Sequence, residues 1–277
     1  MLMTGAEFIV KAIIKAGTDT VFGYPGGTVV SLCDVLYKER NRLRTVRTSH
    51  EQGAAHAADG YARATGRAGV CFATSGPGAT NLVTGIATAF MDSVPAVFIT
   101  GNVESWLIGT DSFQEVDIIG ITLSVTKHSF MVRSPEDLIK AMSEAFPIAM
   151  ADRQGPVLID VPKDILETRE AEYEDALASM KPSLALPPLE NGPCPETDAV
   201  RSMRDLLLSA ERPLIIAGGG ARRSGAGGSI LKLSRTLIIP VVSTLMGSGI
   251  IPASEPEYLG MLGKDAPGYV KRAIGEC

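Results

Sequence analysis

The sequence predicts an α/β fold built on two successive parallel sheets. Short apolar runs alternate with segments of helical period along most of the 277 residues, which is typical of strands joined by crossover helices. Several runs are apolar throughout, as expected for strands that are buried on both faces of a sheet. Between residues 171 and 195 this periodicity stops and prolines accumulate, so we expect a linker there. The predicted units are therefore residues 1–170 and 196–277.

Composition and charge exclude several classes of protein. The net charge is −5 and aromatic residues make up 5%, which argues against a nucleic-acid partner. The four cysteines form no C-x-x-C pair, so neither a zinc site nor a disulfide framework is indicated, and a reducing cytoplasmic location is expected. The sequence shows no signal-peptide pattern and no apolar run long enough to cross a bilayer, so we expect no membrane partner. No metal-ligand set is predicted in this chain.

The first unit is predicted to alternate strands and helices. Thr4 and Glu7 form a capping box for a helix that ends at Gly17. Ser134 and Pro135 open another well-marked helix, because acidic residues fill its first turn. Further helices are predicted at about 29–38, 51–65 and 82–91, and strands at 20–23, 43–48, 68–74, 95–100, 124–132 and 155–162. This order implies one parallel sheet with helices on both faces.

The second unit shows fewer strands. Helices are predicted at 199–210, after the glycine run 218–220, and at 266–274. Only two clear strands are visible, at 213–217 and 238–244. A sheet of two strands is too small to be complete, so this unit is predicted to be partial.

Glycine-bearing loops follow three of the predicted strands, after Phe22, Thr74 and Ala217. Open parallel sheets bind ligands at the carboxyl ends of their strands. The loop Ser75–Asn81 lacks both the Gly-Lys-Ser/Thr ending of a P-loop and the third glycine of a dinucleotide fingerprint. Each loop alone is therefore compatible with an ordinary turn.

Glu51 lies where a polar strand end enters an alanine-rich helix. Acidic residues are common in the first turn of a helix, so a solvated glutamate is one interpretation. The first two glycine loops and Glu51 converge on one rim of the predicted sheet, which favours a proton-handling carboxylate in a cleft. The small residues that follow would let a flat ligand or a second subunit approach the helix closely. The pattern alone leaves both interpretations open.

Other polar residues carry weaker signals. His50 and His56 are six residues apart, which does not place them on one helix face for a shared metal. Ser75 lacks the G-x-S-x-G context of a hydrolase nucleophile. His128 is interpreted as a packing residue, and the adjacent Lys127 either holds an anionic substrate or faces water.

Six motifs, taken together and in order, resemble the thiamine-diphosphate-dependent enzymes. They are Phe22–Gly27, His50–Ala54, Gly60–Arg63, Ser75–Asn81, Gly109–Glu115 and Gly155–Asp164. Within that group the chain resembles the catalytic (large) subunit of acetolactate synthase, also called acetohydroxyacid synthase. The resemblance implies that the first unit is a pyrimidine-binding domain. It also implies that the second is the beginning of a Rossmann-like middle domain, which binds FAD in acetolactate synthases.

The resemblance implies a role for each matching residue. Glu51 would hydrogen-bond the aminopyrimidine ring of thiamine diphosphate and share a proton with it, which is general acid–base work delivered through the cofactor. Gln114 would be a second catalytic residue, and Phe113 and Lys127 would line the substrate channel. The implied cofactor contacts are Tyr24, Pro25, Gly26, Thr74, Pro77 and Asn81 for thiamine diphosphate, and Arg153, Gly218, Gly219, Gly220, Thr244, Leu245, Met246, Met261, Leu262 and Gly263 for FAD.

The implied reaction decarboxylates pyruvate on thiamine diphosphate and condenses the product with a second 2-keto acid, as in branched-chain amino-acid biosynthesis. In the family, magnesium and the diphosphate are held by a further domain with a Gly-Asp-Gly motif, which these 277 residues do not contain. We therefore expect this chain alone to be inactive and to act as a homo-oligomer or with a partner chain that carries that domain. A regulatory subunit is a further implied partner.

Two features leave alternatives open. The family usually continues Met261–Gly263 with Met-His-Gly, whereas this chain has Lys264-Asp265-Ala266, so FAD binding stays an open question. Another thiamine-diphosphate carboligase or decarboxylase, such as sulfoacetaldehyde acetyltransferase, is an alternative function, although the Phe113-Gln114 loop and the run Lys127–Phe130 favour acetolactate synthase. A non-catalytic module for cofactor binding or assembly is the second alternative.

Overall fold

The computed structural model describes residues 2–182 and 197–277, and the chain divides into two compact units after residue 185. The first unit is built on a six-stranded sheet in which every neighbouring pair is parallel. The strands of this sheet are β2 (Thr20–Gly23), β3 (Arg44–Arg47), β4 (Gly69–Ala73), β5 (Ala96–Asn102), β6 (His128–Met131) and β7 (Pro156–Pro162). Their order across the sheet is β3-β2-β4-β5-β7-β6. The α/β class and the parallel sheet predicted from the sequence are confirmed.

Nine helices of the first unit connect and cover these strands in the described residues. They are α1 (Gly5–Lys15), α2 (Val30–Lys38), α3 (Glu51–Thr65), α4 (Pro77–Thr80), α5 (Val83–Met91), α6 (Ile118–Thr122), α7 (Pro135–Met150), α8 (Lys163–Glu167) and α9 (Glu172–Ser179). The predicted caps are present: Thr4 and Glu7 form a capping box, and the Ser134 hydroxyl accepts from the Asp137 amide. Single 3₁₀ turns lie at Gly27–Val29, Ser105–Leu107 and Leu123–Val125.

The two faces of the sheet carry separate apolar cores, because side chains alternate along each strand. Val70 and Phe72 of β4 lie in one core with α1, α2 and α7, whereas Cys71 and Ala73 lie in the other with α3 and α5. All seven residues of β5 are buried, as are all seven of β7. Fully burying one large aliphatic side chain stabilises a fold by about 1.5–3 kcal/mol. The burial of β5 and β7 therefore anchors the sheet, and these two strands set the position of its carboxyl edge.

The segment predicted to be a linker begins with structure that belongs to the first unit. The two-residue strands β1 (Met3–Thr4) and β8 (Arg169–Glu170) pair antiparallel, and α9 follows them directly. Tyr173 of α9 is 0% exposed and stacks on Phe8 with the ring centroids 4.8 Å apart. Ala176, Leu177 and Met180 pack against the same core at helical spacing from Tyr173, a pattern that sequence reasoning missed. The rest of the predicted linker, 183–195, lies outside the described residues.

The second unit holds a parallel three-stranded sheet of order β11-β10-β9. Its elements are α10 (Thr197–Ser209), β9 (Ile215–Ala217), α11 (Gly219–Arg223), α12 (Gly227–Leu237), β10 (Val241–Ser243), β11 (Tyr258–Met261) and α13 (Gly268–Glu276), with a 3₁₀ turn at Leu245–Gly247. The prediction of only two strands was wrong, because β11 is a third. Its four residues include Gly260, and its register against β10 is irregular, so it lacks a clear strand pattern. No helix in the described ranges is long and apolar enough to span a membrane.

Tyr173→Phe is expected to leave the free energy of unfolding unchanged or to raise it by up to about 1 kcal/mol. The Tyr173 hydroxyl is buried and no described residue forms a hydrogen bond with it, so its removal relieves a desolvation cost. Urea denaturation followed by circular dichroism measures the change. Tyr258→Phe is the matched control, because the Tyr258 hydroxyl lies 2.7 Å from the Ser243 hydroxyl and its loss should cost about 1 kcal/mol. Destabilisation by Tyr173→Phe equal to that of the control would contradict the prediction.

Candidate active site

The carboxyl ends of β2, β3 and β4 lie side by side, since these strands are parallel neighbours. The loop Tyr24–Gly27 leaves β2, Glu51 follows β3, and the loop Ser75–Asn81 leaves β4. The convergence predicted for these three segments is therefore confirmed. It places two glycine loops and a glutamate at the same edge of the sheet.

Glu51 is the first residue of α3 and is 8% exposed. His50 caps this helix, because its Nδ1 accepts from the Gln52 amide at 3.1 Å. The Asn81 side chain donates from Nδ2 to Oε2 of Glu51 at 2.9 Å. A buried carboxylate at a helix N-terminus, held by one amide, differs from the solvated first-turn glutamate that was the alternative interpretation.

Gly78 keeps the space beside Glu51 open, and Gly26 allows its own loop to approach Thr74 closely. A Cβ built on Gly78 would lie 3.4 Å from Oε1 of Glu51 and 2.7 Å from Cγ2 of Thr74. A Cβ built on Gly26 would lie 2.4 Å from Cβ and Cγ2 of Thr74. A side chain at residue 78 would therefore cover the carboxylate oxygen that Asn81 leaves open. Gly26 and Gly78 both pack against Thr74, and these three residues beside Glu51 are called the cradle below.

The cradle is held together by Thr28, which sequence reasoning missed. The Thr28 hydroxyl lies 2.9 Å from the Thr74 hydroxyl and accepts from the Ser75 amide at 3.1 Å. The Thr28 amide donates to the Thr74 hydroxyl at 3.3 Å. These bonds tie the loop after β2 to the loop after β4. A hydroxyl residue directly after the Gly26-Gly27 turn was the only signal in the sequence.

The remaining predicted pocket residues lie on the same two loops. Tyr24 is half-buried, with the Arg47 guanidinium 5.6 Å from its ring centroid, and Pro25 is exposed. Pro77 is the first residue of α4. The structure thus brings together all six residues expected to contact thiamine diphosphate.

Burial makes the thiol next to this site unreactive. Cys71 of β4 is fully buried, and burial, followed by the negative charge of Glu51, raises the pKa of its thiol well above the ordinary range. Cys71 therefore stays protonated beside the site and is not a nucleophile there.

The loop Gly109–Glu115 also reaches this edge. A Cβ built on Gly76 would lie 2.6 Å from the backbone oxygen of Gln114, so this loop touches the loop after β4. Gln114 has a positive φ of 60°, and the adjacent Phe113 is 87% exposed. The structure therefore places the backbone of Gln114 against the glycine loop and leaves the Phe113 side chain uncovered by described residues.

Lys127 does not lie with these residues, so its predicted place beside Phe113 and Gln114 was wrong. It precedes β6, at the amino ends of the strands, and its backbone amide donates to the Pro156 carbonyl at 2.8 Å. Its Nζ donates to the carbonyls of Ile148 and Ala151 at the end of α7, at 2.5 and 2.8 Å. The lysine therefore caps the carboxyl end of a helix, where positive charge is favourable. Partial burial lowers the pKa of its ammonium group.

Lys127→Met is expected to lower the free energy of unfolding by about 1 kcal/mol, because two helix-terminal carbonyls lose their charged donor. Urea denaturation of the full chain measures it. Lys140→Met on the exposed face of α7 is the control, and we expect it to change stability by less than about 0.5 kcal/mol. Equal effects of the two substitutions would contradict the capping role.

Arg153, predicted to contact FAD, lies in the first unit just before β7. Its Nε donates to the Ser93 hydroxyl at 2.9 Å, and its guanidinium carbon lies 5.8 Å from the centroid of the Phe90 ring. The predicted FAD role of Arg153 stays a prediction.

The other predicted FAD residues collect at one edge of the second unit. Gly218–Gly220 follow β9, Thr244–Met246 follow β10, and Met261–Gly263 lie at the end of β11. The Thr244 amide donates to Ala217 at 2.9 Å and the Leu262 amide to Ser243 at 2.8 Å, so the three strand ends are joined. The carboxyl edge of this second sheet is the position where open parallel sheets bind ligands.

Comparison with known proteins matches both units. Residues 3–121 match the N-terminal TPP-binding domain of thiamine pyrophosphate enzymes, and residues 200–277 match the central domain of the same enzymes. The chain belongs to the thiamine pyrophosphate enzyme family. The first matched range includes Glu51, Asn81 and Gln114. The candidate site therefore lies within the TPP-binding domain.

Several relatives of this chain are acetolactate synthases. The acetolactate synthase large subunit of Cyanidium caldarium is 46% identical over 280 residues, which cover 100% of this chain and 47% of the relative. The probable large subunit of Methanocaldococcus jannaschii is 44% identical over 99% of this chain and 46% of its own length. The isozyme 2 large subunit of Escherichia coli K12 is 44% identical over 99% of this chain and 48% of its own length. The chain thus spans about half the length of these relatives.

The residues of the site fit the aminopyrimidine ring that the family name implies. Glu51 offers an oxygen that no described side chain occupies, and Asn81 fixes the other. Glycine at residue 78 leaves that oxygen uncovered, because a Cβ there would lie 3.4 Å from it. A ring nitrogen that carries or accepts a proton is a suitable partner for such a carboxylate.

Proposed function

We propose that this chain supplies the pyrimidine-binding half of a thiamine-diphosphate-dependent enzyme that condenses 2-keto acids, of the acetolactate synthase type. The observation that carries the proposal is the geometry of Glu51. Its carboxylate is buried at the start of α3, held by Asn81 on one oxygen, and open on the other toward the cradle. The similarity to acetolactate synthases supports the choice of reaction.

Different residues of the chain would orient the carboxylate, transfer the proton and hold the loops in such a site. Asn81 fixes the carboxylate plane, so Glu51 can hold or accept a proton at Oε1 without reorientation. The Thr28–Thr74 pair keeps the two glycine loops at a fixed separation, which preorganises the cradle. When bound, thiamine diphosphate supplies the electron sink that decarboxylation of a 2-keto acid requires. Phe113 and Gln114 stand beside the cradle and are proposed to face the substrate.

The diphosphate and magnesium are proposed to be held by a domain that lies outside these residues. That domain would come from a partner chain or from the rest of a longer protein, in the same copy or in a second one, since the relatives are about twice as long. Pyruvate and a second 2-keto acid are the proposed substrates, and branched-chain amino-acid biosynthesis is the proposed context. A regulatory subunit remains a proposed partner.

Mixing tests the proposed function directly. The chain is combined with a chain that carries a diphosphate-binding domain, thiamine diphosphate, magnesium and pyruvate, and acetolactate is measured. Acetolactate formation that requires both chains supports the proposal. Intact protein that gives none would contradict it, and a panel with sulfoacetaldehyde and other 2-keto acids would show whether a different carboligase reaction takes place.

The edge of the second sheet is proposed to bind FAD, because nine of the ten residues implied by the resemblance meet there. Calorimetry with FAD and with thiamine diphosphate on this chain separates the two cofactors. Heat of binding for FAD supports the role of this edge. Binding of FAD without any binding of thiamine diphosphate would instead favour the alternative of a non-catalytic module.

A further inference from the structure

The loop Gly109–Glu115 is closed by a carboxylate of its own. Glu115 accepts from the amide of Gly109 through Oε1 and from the amide of Ser112 through Oε2, the latter at 3.0 Å. The Glu115 amide donates in turn to the Ser112 carbonyl at 2.9 Å. The Glu115 carboxylate therefore accepts from two backbone amides of this surface loop, which would otherwise need water or a neighbouring strand as their hydrogen-bond partner.

The closed loop holds backbone conformations that the residues would not adopt freely. Asp111 and Gln114 both have positive φ, at 57° and 60°, although neither is glycine. Such residues cost free energy and persist only where surrounding contacts hold them. Gln114 is followed directly by Glu115, so the carboxylate and the strained residue are adjacent. The hydrogen bonds between Glu115 and Ser112 close the turn that contains Gln114.

The loop Gly109–Glu115 contacts the candidate site through Gln114 and Gly76. With φ at 57°, Gly76 presents its backbone to the Gln114 carbonyl, close enough that a Cβ there would lie 2.6 Å from the oxygen. Gly76 belongs to the same loop as Gly78, which borders Glu51. The orientation of Gln114 against the cradle thus depends on a loop whose shape depends on Glu115.

We infer that Glu115 is a positioning residue, whose carboxylate fixes Phe113 and Gln114 against the glycine loop of the site. The inference rests on the proposed function, because it assigns Phe113 and Gln114 to the substrate side of that site. The charge state of Glu115 agrees with this positioning role. The backbone amides of Gly109 and then Ser112 hold the pKa of Glu115 below its usual range, so the acceptor stays ionised at neutral pH.

Hydrogen exchange on the full 277-residue chain tests the loop without any activity assay. In Glu115→Ala, the amides of Gly109 and Ser112 are expected to exchange at least about ten times faster, because both lose their acceptor. Glu115→Gln keeps one acceptor oxygen and is expected to lie between Glu115→Ala and the parent chain. Glu144→Ala, on the exposed face of α7, is the matched control and should change neither rate. Unchanged exchange in Glu115→Ala would overturn the inference.

A double-mutant cycle in the reconstituted complex then distinguishes positioning from general destabilisation. Glu115→Ala is expected to lower kcat about tenfold and leave the Kd of thiamine diphosphate unchanged. If Glu115 acts through Gln114, the pair Glu115→Ala with Gln114→Ala loses no more than Gln114→Ala alone. Losses that are additive in this pair, and also in the pair Glu115→Ala with Phe113→Ala, would overturn the inference while the proposed function stands. A parent complex without carboligation would instead contradict the proposed function itself, and with it this catalytic consequence.

Discussion

Glu51→Gln is expected to lower acetolactate formation by the reconstituted complex roughly 1,000-fold and to leave the fold intact. The glutamine oxygen can still accept from Asn81, so the hydrogen bond that orients the side chain at 2.9 Å survives. What disappears is the ability to hold and release a proton at Oε1. Proton transfer by a positioned group contributes about 10²–10⁴ in rate, which sets the expected size of the loss.

Two measurements make this outcome specific to Glu51. Single-turnover kinetics with saturating thiamine diphosphate and magnesium separates the chemical step from cofactor binding. Glu144→Gln removes one exposed carboxylate from α7 and should leave the rate unchanged. A Glu51→Gln complex with more than about a tenth of the parent activity would show that the buried carboxylate does not handle the proton, and the site would then need another acid–base group.

The main elements of this site could be predicted because local signals and topology agree. The capped helix α3 from Glu51 to Gly66 follows from a polar strand end, an alanine-rich run and a terminal glycine. The convergence of Glu51 with two glycine loops follows from parallel strands alone, since their carboxyl ends must share an edge. Neither step required knowledge of a side-chain contact.

The errors occurred where a single tertiary contact decides the structure. Lys127 was expected at the substrate channel, but its place before a parallel strand puts it at the opposite edge, against the end of α7. Tyr173 was assigned to a linker because the proline-rich residues after it dominated the interpretation, although Ala176, Leu177 and Met180 continue its helical spacing against the core. Thr28 was overlooked because its role lies in the pairing of two loops that are 46 residues apart.

A second buried carboxylate lies in the central strands of the same sheet. Asp160 of β7 is 1% exposed and accepts from the Thr100 hydroxyl at 2.6 Å and from Nδ2 of Asn102 at 2.5 Å. Both donors are neutral, so no described cation compensates the charge of Asp160. Burial raises the pKa of Asp160 to about 6, although the two hydrogen bonds act in the opposite direction.

The shift makes the stability of the chain depend on pH in an unusual direction. The unfolded group titrates near 3.8 and the folded group near 6, so between these values the folded state binds more protons than the unfolded state. Stability from this group is therefore fully present below about pH 3.8 and is lost as pH rises through about 6. A difference of about two pKa units corresponds to about 3 kcal/mol.

Asp160→Asn is expected to remove this dependence, because the amide stays neutral and can still accept from Asn102. The difference in free energy of unfolding between parent and variant, measured by urea denaturation from pH 4 to pH 7.5, should change by about 2.5 kcal/mol. The difference isolates Asp160, since carboxylates with lowered pKa, such as Glu7 and Asp19, titrate equally in both chains. A difference that stays constant across this range would show that the carboxylate is not penalised by burial.

A pH-dependent difference would identify a charge that can be neutralised in β7, the strand next to Gly101. Gly101 in turn packs against Thr28, which ties the cradle of the site together.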